Sequence, residues 1–138
     1  MSQDDSMPFD PINPERREFL RVPTDLPVRY KFLSAEPAFL HEEIFEGRVT
    51  DLSGGGLLLL GRIPDMEWKS RLLNGRIVVG LNLDLADGQS PVKALTRVTW
   101  AETVEDDENL CLMGLKFKEI IHEHLDQIFQ YVIGAHMG

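Results

Sequence analysis

The sequence contains a single cysteine, Cys111, so no intrachain disulfide can form. Cys111 sits in an apolar run, where a thiol is expected to be buried and inert rather than nucleophilic. No apolar run approaches the roughly 20 residues that a membrane-spanning helix needs. The first ten residues, MSQDDSMPFD, are acidic and polar, unlike a secretory signal. These absences predict a cytoplasmic protein with no membrane insertion. Positive charge is also scarce: 14 Lys and Arg stand against 23 Asp and Glu, a formal net charge of −9. Such a chain is a poor general binder of DNA or RNA, because affinity for the phosphate backbone needs a broad cationic surface. Catalytic signatures are missing too. There is no G-x-S-x-G elbow, no H-E-x-x-H and no Cys pair, and Gly54-Gly55-Gly56 is not followed by Lys-Ser/Thr as a phosphate-binding loop would require. His122 and His124 flank Glu123, but positions i and i+2 do not share a helix face, so no metal site is read there. The expectation is a protein that is neither an enzyme nor a metal or cofactor carrier.

What remains is 138 residues, 43% of them hydrophobic, enough for one domain with a real core. The negative charge is uneven. Asp4, Asp5, Asp10 and Glu15 mark residues 1–15, and Glu102, Glu105, Asp106, Asp107 and Glu108 mark residues 102–108. Between residues 16 and 31 the sign reverses: Arg16, Arg17, Arg21, Arg29 and Lys31 outnumber Glu18 and Asp25. That cluster reads either as a solvated basic face or as a site for one small anion.

Residues 1–14, with Pro8, Pro11 and Pro14, are expected to form a flexible leader, and residues 15–134 a single domain. Residues 27–33 alternate, with Val28, Tyr30 and Phe32 on one face, and predict a half-buried strand. Further strands are predicted over 43–52 and 57–60. Ser53-Gly54-Gly55-Gly56 separates the two, and Gly61 and Pro64 close the second. The clearest period of two runs through Ile77, Val79, Leu81, Leu83 and Leu85 in residues 76–85, and Asp87-Gly88 forms a turn. Residues 91–104 place Val92, Ala94, Val98 and Trp100 on one side, which assigns Trp100 to the interior. The acidic stretch 105–108 is expected to be a loop, and Cys111, Met113, Leu115 and Phe117 share a face of a strand over 110–118. Ile121, Leu125, Ile128, Phe129 and Val132 then recur with helical spacing, predicting an amphipathic helix over 119–133 stopped by Gly134. No element is assigned to residues 61–75 beyond the end of the second Gly-flanked strand. Six strands followed by a helix imply a mainly β fold, an antiparallel barrel or sandwich with the helix packed on it.

Two motifs carry chemistry. Arg17 and Arg21 form R-x-x-x-R just ahead of the first predicted strand, and Asp51-Leu52-Ser53-Gly54-Gly55-Gly56 forms D-x-S-x-x-G at a strand–turn–strand junction. Arginine's planar fork matches phosphate oxygens and the O6/N7 edge of guanine, and its plane can stack on a base. An ionised Asp51 is acceptor-only and suits the N1–H and N2–H₂ donors of guanine. Ser53 can donate or accept beside it, or simply tie down the turn. Gly56 lets the backbone approach a ligand or adopt a positive φ.

With both motifs present, the sequence resembles the PilZ domain family, bacterial receptors for cyclic di-GMP. The resemblance also takes in Leu26-Pro27-Val28, the Ala94–Trp100 segment and Gly114-Leu115-Lys116-Phe117. It implies a six-stranded antiparallel β-barrel with a C-terminal amphipathic helix. It further implies cyclic di-GMP bound by Arg16, Arg17, Arg21, Asp51, Ser53 and Gly56, with the Arg-rich segment ordered on binding and the signal passed to a separate protein partner. The alternative is a PilZ-like interaction module of pilus or flagellar regulation that binds no nucleotide. In the family, a basic residue before the first motif arginine accompanies a mutually stacked ligand pair. Arg16 therefore leaves a stacked pair and a single ligand both open. Trp100 matches a residue that lies near the bases in some relatives, the other reading beside burial. Charge-assisted hydrogen bonds contribute about 1.5–3 kcal/mol each, so three arginines would supply much of the roughly 8 kcal/mol of micromolar binding.

Overall fold

The computed structural model describes residues 20–39, 41–104 and 106–137, apart from the side chain of residue 108. Arg16 and Arg17, and the leader expected over residues 1–14, lie outside the described residues. The elements in chain order are β1 (Arg21–Leu33), β2 (Phe45–Ser53), β3 (Gly56–Arg62), α1 (Trp68–Leu73), β4 (Val78–Leu83), β5 (Val92–Val104), β6 (Asp107–Ile120) and α2 (His122–Met137), with a 3-10 turn at Pro37–Phe39. The six strands close into a barrel in the order β1-β2-β3-β6-β5-β4, every pair antiparallel. Closure leaves no free sheet edge.

Alternation along each strand fills the barrel. Val28, Tyr30 and Phe32 of β1 and Val79, Leu81 and Leu83 of β4 point inward and are almost wholly buried, as are Cys111, Met113 and Leu115 of β6. Tyr30 carries a hydroxyl into this core, and that hydroxyl donates to the carbonyl of Arg62 at 2.6 Å. Desolvation pushes its ionisation far above the ordinary phenol range. The Cys111 thiol is likewise pushed up by burial, the opposite of what a nucleophile needs.

Several boundaries differ from the sequence-based expectation. β1 begins at Arg21 rather than residue 27. Pro23 and Asp25 disfavour a regular strand, yet a register shift between Pro23 and Leu26 accommodates them. The Thr24 hydroxyl donates to Val49 O at 2.6 Å, and Arg48 pairs with Asp25 at 2.8 Å, tying the irregular stretch to β2. β3 continues through Gly61 to Arg62 instead of ending there. The acidic loop expected over 105–108 is shorter: Asp106 turns at φ 68°, and β6 already starts at Asp107. Asp107 then pairs with Arg62 at 2.7 Å, which offsets the local crowding of carboxylates.

The helix α1, unassigned from sequence, buries Trp68 and Leu72 one turn apart and packs on β5. α2 starts three residues later than expected, because Glu119 and Ile120 still pair with Leu95 and Ala94 of β5. It also runs past Gly134 to Met137. Ile128, Phe129 and Val132 form its buried stripe, against β1, β2 and β5, while Ile121 lies outside the helix and is 58% exposed.

Candidate functional site

The β1–β2 ladder brings the two motifs together. Arg21 opens β1 opposite Ser53, and Pro23 stands opposite Asp51. Residues 30 apart in sequence thus become cross-strand neighbours, because β1 starts early and its bulge corrects the register. The Arg21 Nη1 atom lies 3.6 Å from Asp51 Oδ2, with the arginine side chain 62% exposed and the carboxylate 24% exposed. An arginine so placed is held by one acceptor and keeps its other donors turned to solvent.

Ser53 is buried and serves the turn. Its Oγ accepts N–H bonds from Gly55 and Gly56 and donates to Gly56 O, each at 3.2 Å. The hydroxyl therefore shapes the loop from within. Of the two expectations for Gly56, one does not hold. It does not adopt a positive φ; among described glycines only Gly75 and Gly88 do. A Cβ at Gly56 would meet Leu115 O at 2.1 Å, so the glycine is needed where β3 first closes on β6.

Arg21, Ser53 and Gly56 line one groove of about 270 Å³, together with Gly55, Thr99, Trp100 and Lys116. Asp51 is not on its wall and reaches it through the Arg21 contact. Lys116 is exposed and Thr99 donates its hydroxyl to Gly114 O at 3.1 Å. Neither was singled out from sequence. Lys116 was legible in principle, since it alternates with the inward Leu115 and the half-buried Phe117.

Trp100 overturns its assignment to the interior: it is 39% exposed and stands on this groove. The cause is a register shift in β5, where Val98 faces Leu115 but Trp100 faces Gly114, two steps against one. The extra residue flips the alternation, so Trp100 joins the outward face. Its indole lies over Gly114, where a Cβ would come within 2.2 Å of Nε1. The groove thus combines a forked cation, an ammonium, a flat aromatic surface and a glycine-lined floor. That set suits an anion carrying a planar ring. Among the described residues no cluster of His, Cys, Asp and Glu could hold a metal ion, and no helix is long and apolar enough to cross a membrane.

A family model described as PilZ domain matches residues 15–134. No curated protein matches the sequence. Similar solved structures include the Bacillus subtilis inhibitor of motility (MotI/DgrA), with a TM-score of 0.63 and 17% identity over 86% of this chain and 49% of that one. The PilZ domain of CeSA from a cellulose synthesizing bacterium gives 0.54 and 20% identity over 84% and 97%. K. pneumonia MrkH, solved as a complex with c-di-GMP, gives 0.57 and 13% identity over 85% and 50%. The chain spans about half the length of MotI and of MrkH. At these identities the likeness is one of fold.

Proposed function

The chain belongs to the PilZ domain family, and from that premise we propose that it is a cytoplasmic receptor for cyclic di-GMP rather than an enzyme. The observation that carries the reading is the β1–β2 register, which sets Arg21 beside Asp51 and places Arg21 and Ser53 on the groove that Trp100 and Lys116 complete. Each group has a part in recognising a cyclic dinucleotide. Arg21 and Lys116 supply cations for phosphate, and Arg21 can also meet the O6/N7 edge of guanine with its fork. Trp100 offers a stacking surface for a base. Asp51 accepts from guanine N1–H and N2–H₂ once Arg21 turns toward phosphate. Ser53 and Gly56 hold the loop that forms the floor. The groove lies below the roughly 300–1,000 Å³ of sites that enclose a drug-sized molecule. It therefore takes one nucleotide edge, and Arg16 and Arg17 are the residues that close over the remainder. Arg16 would also support a second, stacked ligand.

Ordering the Arg-rich segment on binding is a disorder-to-order switch, read by a protein partner. The competing reading is a PilZ-like adaptor of pilus or flagellar regulation without nucleotide. The intact R-x-x-x-R and D-x-S-x-x-G residues favour the receptor. Arg21→Lys tests the division of roles. It keeps the charge but loses the fork, so cyclic di-GMP affinity should fall by more than about tenfold, while urea denaturation is little changed because Arg21 is exposed. Equal affinity for the lysine variant would mean that a point charge suffices and that Arg21 does not read the ligand.

A further inference from the structure

A second surface stands apart from the ligand groove. The described residues expose six large hydrophobic side chains, and three of them, Leu33 (39%), Ile44 (52%) and Ile121 (58%), line one open groove of about 1010 Å³. It crosses the outward faces of β1, β4 and β5 and reaches the end of β6. Arg29, Lys31, Lys93 and Lys118 stand around the apolar patch, with Glu119 the one carboxylate on the wall. None of these four cations forms an ion pair among the described residues. Arg21, Arg48, Arg62 and Arg76, elsewhere on the barrel, each have a carboxylate partner. In a chain of net charge −9, four neighbouring cations against one carboxylate on the groove wall, Glu119, with Glu46 facing Arg29 across β2, are a local excess of opposite sign, set around exposed apolar anchors.

We propose that this groove docks a partner protein through an acidic segment with apolar anchor residues. Charge complementarity selects the acidic rim of the partner, and Leu33, Ile44 and Ile121 take its anchors. The closed barrel has no free edge, so the segment binds through side chains rather than by adding a strand. An open groove encloses a small molecule poorly but suits a length of chain laid across several strands. A membrane is disfavoured by the concave shape and by the acidic remainder of the surface. The inference rests on the receptor reading for its purpose, since β1, β5 and β6 run from one groove to the other. β1 carries Arg21 at its start and Lys31 near its end, while β5 carries Lys93 before Trp100.

The test is selection of a random peptide library displayed on phage against the full chain. The enriched peptides are then synthesised and titrated into wild type and into the Lys93→Glu/Lys118→Glu and Ile44→Ser/Ile121→Ser variants. All four positions are exposed or on the groove rim, and circular dichroism checks that the variants fold. The expected result is enrichment of peptides with Asp and Glu around apolar residues, and binding weakened more than about tenfold by either pair of substitutions. Neutral or basic peptides, no enrichment, or insensitivity to both variants would overturn the proposal. So would self-association that the isoleucine variant abolishes, or retention on phosphatidylserine vesicles that the charge reversal abolishes; these would assign the groove to a second copy or to a membrane. Calorimetry of the charge-reversal variant with cyclic di-GMP keeps the two readings apart. Unchanged nucleotide binding with lost peptide binding is the expected pattern, whereas peptide binding without any nucleotide heat would remove the receptor and leave the docking surface.

Discussion

Replacing Gly114 by alanine probes the point where the barrel and the ligand groove meet. A Cβ at this position would lie 2.2 Å from Trp100 Nε1 and 2.7 Å from Cδ1 and Cε2, against an ordinary contact of 3.4 Å or more. The ring must retreat by about 1.2 Å, the difference between 3.4 and 2.2 Å. Those atoms belong to a side chain that is 39% exposed, so the indole can swing outward. Alanine also lowers the entropy of the unfolded chain, and the net cost is expected to stay within about 1 kcal/mol. Gly56→Ala is the contrasting case. Its Cβ would meet Leu115 O at 2.1 Å and the backbone of Leu115 and Lys116 at 3.1 Å, and the backbone of β6, paired on both sides with β3 and β5, cannot swing away. Overpacking against backbone costs about 2–3 kcal/mol, or roughly 10 °C in Tm for a domain of this size. Urea and thermal denaturation should rank the two alanines in that order. In a Trp100→Ala background the Gly114 penalty should vanish, since the obstruction has gone. With Trp68→Phe leaving Trp100 as the sole tryptophan, Gly114→Ala should also shift the emission to the red. Equal costs for the two glycines, or a Gly114 penalty that survives removal of Trp100, would refute the placement of the indole over β6.

Three other outcomes follow from the same geometry. Ser53→Ala strips the Gly55 and Gly56 amides of their buried acceptor, and should cost about 1–3 kcal/mol in urea melts; a neutral effect would show that the turn does not depend on the hydroxyl. Tyr30→Phe leaves the Arg62 carbonyl without its 2.6 Å donor and should cost about 1–2 kcal/mol with an unchanged m-value, whereas a stabilised variant would contradict that bond. The Arg62 guanidinium beside Asp107 holds its carboxyl below the usual carboxylate range. The wild-type advantage over Asp107→Asn should therefore be full above the ordinary carboxylate pKa and disappear as pH falls through the lowered folded-state value. A gap that widened on acidification would have the wrong sign.

Much of the barrel was legible because alternation is a direct consequence of one buried face. Ile77, Val79, Leu81, Leu83 and Leu85 are all buried as their spacing implies, although regular pairing covers only Val78–Leu83. What escaped reading were the places where register slips. Trp100 was assigned inward because a period of two contains no mark of the bulge after Val98. The start of β1 was hidden behind Pro23 and Asp25, whose local preference is overridden by cross-strand bonds from Thr24 and Arg48. α1 has six residues, too few for a helical period to declare itself. Ile121 fits the spacing of α2 but precedes it, because pairing of Ile120 with Ala94 prolongs β6. For the site, residue types and the turn-holding part of Ser53 were readable, and the pairing of groups across strands was not. Ser53 and Gly56 are explained by the turn and by the approach of β3 to β6, while Arg21 and Asp51 meet only through the folded register.

Calorimetric titration of the full chain with cyclic di-GMP, alongside Arg21→Ala, tests the central claim most directly. The account predicts saturable heat in the micromolar range that the alanine variant loses while remaining folded, with a stoichiometry above one if Arg16 supports a stacked pair. No heat at tens of micromolar ligand with folded protein, or the same isotherm from Arg21→Ala, would contradict it.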